Sequence, residues 1–211
     1  ALSTDKASSP INLYGATKLA SDKLFIASGS SYAGGHVTSF SVVRYGNVMG
    51  SRGSIIPLFV SLKKKNVLPI TDKRMTRFMI SLDAGVELVW HAFKDMRGGE
   101  IYVKKIPSMK VTDIAKVIAP KAEHKIIGIR PGEKLHEQMI GSDDSLSTYE
   151  YRDYYKILPQ INHWGKDNLR IKNGLKVPEG FTYNSTNNLQ WMTKLELQKW
   201  IKINQSKIGK I

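Results

Sequence analysis
The sequence predicts an α/β fold, and three observations carry that expectation. The stretch "VTSFSVVRYGN" (37–47) alternates and then turns apolar, as a buried strand does. The stretch "LDAGVELVWHAFKDM" (82–96) repeats its apolar residues at helical spacing. After them "GGEIYVKK" reads as turn and strand and "VTDIAKVIA" as another helix, so strands and helices alternate along the chain.

The remaining elements follow in order. "GATKLASDKLFIAS" reads as a first helix, with Leu19, Leu24 and Phe25 or Ala27 at helical spacing, and it places Tyr14 and Lys18, four apart, on one face. "GSSYAGGH" is a loop, and after the 37–47 strand "VMGSRGSIIPLF" is a glycine-bearing turn into a short helix that ends at the lysines of 63–65. "KIIGIRPGEKLHEQMI" reads as strand, proline-glycine turn and helix. From about residue 142 the text turns polar and aromatic, "DDSLSTYEYRDYYKI", and then loop-rich through "NSTNN" before a last helix over 193–202. No internal repeat interrupts this order.

At 211 residues, 41% hydrophobic and 24% charged, the chain can bury the core of one domain or one and a half. It has no cysteine, which rules out disulfides, thiolate metal sites and thiol redox chemistry and suits a reducing, cytoplasmic setting. No apolar run approaches the roughly 20 residues that span a bilayer, so no membrane partner is expected. The net charge of +14 invites a polyanion, but no RNP-like, zinc-finger or helix-turn-helix signature accompanies it, and a solvated basic surface explains it equally well. His36, His91, His124, His136 and His163 are scattered without paired carboxylates, so no metal site is expected.

The glycines Gly46, Gly50 and Gly53 lie between a strand and a helix, but their spacing is not G-x-G-x-x-G, and no acidic residue closes a second strand about 20 positions on. They are expected to form a turn that passes close to a ligand. "RPGEKLHE" (130–137) is either a surface turn or a clamp for an anion through Arg130. The pair Tyr14 and Lys18 gains weight from the "STDK" before it. A phenol with a pKa near 10 is a poor base unless a cation lowers that value, and Lys18 one turn later supplies one. With an oxidised nicotinamide alongside, the tyrosinate could take a proton from a sugar hydroxyl as hydride leaves the same carbon. Thr4, Asp5 and Lys6 would add a hydroxyl donor, a carboxyl acid and an amine base, the groups needed to expel water next to a ketone-activated carbon.

The blocks "ALSTDKASSPINLYGATK", "FSVVRYGNVMGSRGSIIPLF", "ITDKRMTRFMI", "EIYVKKIPSMK" and "IIGIRPGEKLHEQMI" closely resemble the inverting, NADP-dependent UDP-N-acetylglucosamine 4,6-dehydratases of the extended short-chain dehydrogenase/reductase superfamily, which open pseudaminic acid biosynthesis for flagellin glycosylation. The resemblance runs from residue 1 to about 195. It implies that Tyr14 is the base at the C4 hydroxyl, that Lys18 lowers its pKa and holds the nicotinamide ribose, that Lys6 handles the C5 proton, and that Asp5 protonates the departing C6 hydroxyl. It gives Thr4 the C4 oxygen, Asn47 a substrate contact beside the cofactor, and Arg130 and Glu133 the UDP pyrophosphate and ribose. Lys6, in place of the acid of "TDE" in dTDP-glucose dehydratases, points to the acetamido-sugar branch. Tyr14, in place of the methionine of "MGATK" in membrane-anchored retaining enzymes, points to the inverting one.

The resemblance also implies a domain plan. Residues 1–105 would be the C-terminal half of a Rossmann dinucleotide-binding domain, interleaved with substrate-domain segments at about 48–80, and 106–211 would be mainly a small α/β substrate domain. Family members begin with a strand, a G-x-x-G-x-x-G turn and more than a hundred residues that build the first half of the Rossmann sheet. None of that precedes Ala1, so residues 1–3 read as the end of a central strand and the chain as the C-terminal part of a homo-oligomeric enzyme that alone binds NADP weakly or not at all. Two other readings stay open: a retaining dehydratase or epimerase of the same superfamily, and a noncatalytic basic fragment that binds a polyanion or partner.

Overall fold
A computed structural model describes residues 1–30, 38–159 and 168–210. The loop expected at "GSSYAGGH", along with His36 and His163, lies largely or wholly outside the described residues. The chain opens with β1 (Leu2–Thr4), a 3-10 turn (Asp5–Ala7) and α1 (Leu13–Ser30), followed by β2 (Val42–Tyr45), β3 (Asn47–Val48), α2 (Ile55–Leu62), β4 (Val67–Ile70) and β5 (Thr76–Ile80). Then come α3 (Leu82–Asp95), β6 (Ile101–Lys104), β7 (Ser108–Lys110), α4 (Val111–Ile118), β8 (Glu123–Ile126) and β9 (Gln138–Ile140). The last elements are β10 (Thr148–Glu150), β11 (Tyr154–Ile157), α5 (Asn168–Ile171), β12 (Leu175–Lys176), β13 (Tyr183–Asn184) and α6 (Lys194–Asn204). The alternation read from the sequence is an α/β fold.

Two compact units share the chain. The first takes Ala1–Tyr45, Asp83–Lys105 and Gln138–Asn184; the second takes Gly46–Leu82, Ile106–Glu137 and Ser185–Ile211. Residues 106–211 are thus divided between the units, with 138–184 belonging to the first.

The first unit is built on a six-stranded sheet of order β1-β2-β6-β11-β10-β12. β1, β2 and β6 run parallel, as strands joined by helices must, and β11, β10 and β12 continue the sheet antiparallel. β1 lies at one edge and pairs with β2 alone. Val43 and Tyr102 on the sheet pack against Leu88 and Ala92 of α3, the apolar stripe the sequence predicts. Under the same helix, Lys156 is fully buried, with its ammonium 2.5 Å from Asp95 and over the rings of Tyr102 and Tyr151.

The second unit packs α2, α4 and α6 with β4 and β5 around Ile56, Phe59, Leu68, Ile70, Ile114 and Leu197. β3, β5 and β7 form one small sheet; β4 and β8 form another. Two glycines explain how tightly the segment after β2 lies. A Cβ on Gly46 would stand 2.4 Å from Phe78 Cβ, and Gly50, in the left-handed region, has the Trp200 ring 2.8 Å from where its Cβ would be.

The helix expected after "RPGEK" does not form. Residues 133–137 are irregular, with a bend at Leu135 and His136, and lead into β9, because carbonyls a helix would use internally are already taken. Leu135 O accepts from Thr76 N at 3.2 Å, and the Arg77 guanidinium bonds Lys134 O at 3.1 Å and Leu135 O at 3.3 Å. The polar and aromatic stretch after 142, to which the sequence reading assigns no element, contains the β10–β11 hairpin.

Candidate functional site
The residues singled out by the sequence fall into two sets, one in each unit. In the first unit, Thr4 is the last residue of parallel strand β1 and Asp5 and Lys6 follow it, at the carboxyl end at which α/β sheets bind ligands. Asp5 is fully buried. Its Oδ1 accepts from Thr4 Oγ1 at 2.8 Å and from Lys6 Nζ at 3.0 Å, while Oδ2 is buried without a hydrogen-bond partner. Hydroxyl, carboxyl and amine therefore form one hydrogen-bonded group.

Tyr14 and Lys18 stand one turn apart at the start of α1. Asn12 starts this helix, its side chain accepting from Gly15 N at 2.8 Å and its carbonyl from Ala16 N at 3.0 Å. Tyr14 is 54% exposed, so its phenol is open to a ligand. Lys18 Nζ donates to Leu2 O at 3.3 Å, which ties the helix back to β1. Gly15 lets the helix approach the 3-10 turn: a Cβ there would lie 2.5 Å from Lys6 O and 2.9 Å from Pro10 Cβ. Ser9, just before Pro10, has φ +49°, a strained conformation for a non-glycine residue between the two halves of this set.

In the second unit, Asn47, Arg130 and Glu133 line one cavity of about 200 Å³, with Phe59 and Met75 among its apolar walls. The sequence brings Arg130 and Glu133 together through a type II turn. Pro131 and Gly132 occupy its centre, Gly132 has φ +81°, and Glu133 N donates to Arg130 O at 3.0 Å. Their side chains approach to 3.9 Å. Asn47 Oδ1 and Glu133 Oε2 are buried without partners, leaving two acceptors beside a guanidinium that is 62% exposed. Such a cavity suits an anion that also carries hydroxyl or N–H donors.

Sequence reading passed over several residues. Arg77 lines the same cavity, and its signal was a lone cation inside an apolar strand, "TRFMI". Gly15 left no signal beyond being glycine. Ser3, Asp22 and Arg44 form a buried polar cluster, and only the spacing of Tyr14, Lys18 and Asp22, four apart each time, hinted at it. Of the glycine turn, Gly46 and Gly50 are packing positions, and Gly53 borders the cavity. Among the described residues no group of three or more His, Asp or Glu could hold a metal, and no helix is long and apolar enough to cross a membrane. His91 packs against Tyr102 and Tyr154, where burial pushes its pKa down.

Comparison with known proteins gives these sites a context. The family model described as "Polysaccharide biosynthesis protein" matches residues 1–159. The UDP-N-acetylglucosamine 4,6-dehydratase (inverting) of Campylobacter jejuni is 57% identical over 204 residues, 93% of this chain and 61% of that protein, so the chain spans about three-fifths of that relative's length. A UDP-glucose 4-epimerase of Rickettsia conorii is 44% identical over 74% of this chain and 47% of its own. Among solved structures, Pen from Bacillus thuringiensis is 34% identical, covers 97% of this chain and 62% of its own, and superposes with a TM-score of 0.83. A dTDP-glucose 4,6-dehydratase from Streptomyces venezuelae, 22% identical over 64% of this chain and 48% of its own with a TM-score of 0.53, shares the fold. By the match over residues 1–159 and the identity across nine-tenths of its length, the chain belongs to the polysaccharide biosynthesis protein family.

Proposed function
We propose that this chain carries the catalytic and sugar-nucleotide-binding residues of an inverting UDP-N-acetylglucosamine 4,6-dehydratase. The observation that carries the reading is the hydrogen-bonded Thr4, Asp5 and Lys6 at the carboxyl end of β1, beside the helix that presents Tyr14 and Lys18. Tyr14 and Lys18 fit the nicotinamide end of a dinucleotide. No described segment offers a glycine-rich turn for its diphosphate, since Gly46 and Gly50 are filled by Phe78 and Trp200. When bound, the nicotinamide supplies the place where hydride from C4 is held until it returns to C6.

The chain's own groups would do the rest. Tyr14 takes the proton of the C4 hydroxyl as that carbon becomes a ketone, with Thr4 directed at the C4 oxygen and the Lys18 ammonium one turn away. The ketone acidifies C5, and Lys6 removes the C5 proton. Asp5 gives a proton to the C6 hydroxyl, which leaves as water; Oδ2, buried and unpartnered, is the oxygen to carry it. Protonation of C5 on the opposite face by a solvent-derived proton gives UDP-2-acetamido-2,6-dideoxy-β-L-arabino-hex-4-ulose. In the second unit Arg130 would hold the diphosphate, and Asn47 and Glu133 would accept from hydroxyl groups.

The finer parts of this reading follow the resemblance: NADP as the nicotinamide cofactor, entry into pseudaminic acid synthesis and flagellin glycosylation, a cytoplasmic setting and a homo-oligomeric enzyme. The test is proton NMR of UDP-N-acetylglucosamine in D2O with NADP+ or NAD+ and this chain supplied with the upstream dinucleotide-binding half that the resemblance implies. A 4-keto-6-deoxy product with L-arabino ring couplings and deuterium at C5 is expected. A D-xylo product would assign the retaining reaction, a 4-epimer without loss of water would assign an epimerase, and no product would remove the catalytic reading from this chain.

A further inference from the structure
Ser3, Asp22 and Arg44 are 5%, 1% and 3% exposed. Ser3 Oγ donates to Asp22 Oδ2 at 2.9 Å, and Arg44 Nη2 donates to the same oxygen at 3.0 Å. Arg44 Nη1 donates to Met139 O at 2.7 Å and lies 3.7 Å from Asp144 Oδ2. One carboxylate thus joins β1, α1 and β2, and its arginine carries the connection on to β9. The two segments it fastens are those with the candidate chemistry. Ser3 directly precedes Thr4, and Asp22 stands one turn beyond Lys18 on the line that begins at Tyr14.

Stability alone is a poor account of this cluster. Burying an ion pair costs desolvation of both charges, and apolar side chains of similar volume commonly stabilise as well or better. Arg44 Nε is also buried without a partner, an added cost that a purely cohesive contact would avoid. What the charges provide is direction: two donors on one oxygen fix both the distance and the rotation of α1 against the end of β1. Lys18 adds a longer hydrogen bond between the same two elements, from its Nζ to Leu2 O at 3.3 Å.

We infer that Asp22 is a positioning residue, which through Ser3 and Arg44 sets where Tyr14 and Lys18 stand relative to Thr4, Asp5 and Lys6. The inference rests on reading those five residues as the reacting groups. The test compares Asp22→Asn, Ser3→Ala and Arg44→Lys with the parent protein by amide hydrogen exchange and by turnover. Asp22→Asn removes the charge, Ser3→Ala removes one bond, and Arg44→Lys keeps the charge on an ammonium that cannot fork between Asp22 and Met139 O.

Exchange in 3–7 and 13–22 is expected to rise roughly tenfold in each variant, while β5 and α4 exchange as in the parent. Where turnover is seen, kcat should fall with KM for the UDP-sugar changed by less than about twofold. Unchanged exchange in both segments, or an even rise throughout the first unit in all three variants, would overturn the inference and leave Asp22 a cohesive residue only. Should the local loosening occur while Tyr14→Phe leaves product formation intact, the clamp stands and the assignment of the reacting groups fails.

Discussion
Asp95 shows how a single carboxyl is governed by its surroundings. Burial is the largest influence and pushes its pKa up, but hydrogen bonds from Lys156, Lys172 and Tyr102 together outweigh it and hold the group at about 2. Because the folded value lies below the unfolded one of about 3.9, the ionised form stabilises the fold above pH ~4, by roughly 2 kcal/mol, and this is lost as the pH falls from about 4 towards 2. Urea unfolding of Asp95→Asn should therefore show a flatter acid limb than the parent. At neutral pH it should also show a loss of about 3 kcal/mol, since Lys156 is left buried without its anion. Gly15 is governed by space. Gly15→Ala must move α1 or the 3-10 turn, since 2.5 Å to a backbone carbonyl leaves no room for a methyl group. A cost of about 1–3 kcal/mol in thermal unfolding is expected, with loss of any turnover that needs Tyr14 beside Asp5. Tyr14, Lys18, Asp5 and Lys6 stand out as candidates in the sequence because "STDK" precedes the Tyr14 and Lys18 pair. Asp22 and Arg44 do not, because a charged residue on a helix or strand ordinarily faces water and only the fold buries these two.

At the scale of elements, the helices were read well and the late strands poorly. α3 and α4 carry regular apolar stripes, and α6 has a capping box at its start: Thr193 Oγ1 accepts from Glu196 N at 3.2 Å and Glu196 Oε2 accepts from Thr193 N at 2.6 Å. Thr193→Ala should lower stability by about 1 kcal/mol in a denaturant titration, because the Glu196 N–H loses its acceptor. The stretch 133–140 looked helical because Glu133 suits a first turn, and local preference gave way to the carbonyl contacts of Thr76 and Arg77. The β10–β11 hairpin escaped notice for a related reason. Tyr149, Tyr151, Tyr154 and Tyr155 are all at least half-buried, and Tyr151 stacks on Tyr154 at 4.5 Å, so the stretch lacks the apolar-polar alternation of a one-sided strand.

For the whole molecule, the residues themselves made the α/β class legible, while the interleaving at about 48–80 was an expectation from the resemblance, because no local pattern encodes the path of the chain between units. The cavity of the second unit provides a test that needs no turnover. Isothermal titration with UDP should show binding that Arg130→Ala weakens about tenfold to a hundredfold, with thermal stability unchanged because Arg130 is a largely exposed side chain. Equal UDP affinity in the two proteins would remove Arg130 from the anion site.

The division into units also has a temporal consequence. The chain passes from one unit to the other five times before it ends. A ribosome making it cannot release a finished sheet in the first unit until β12 has emerged, and the second unit waits longer still, for Leu197 and Trp200 to close its core. Both cores therefore close almost together, and until α6 is in place the nascent polypeptide carries open apolar surface.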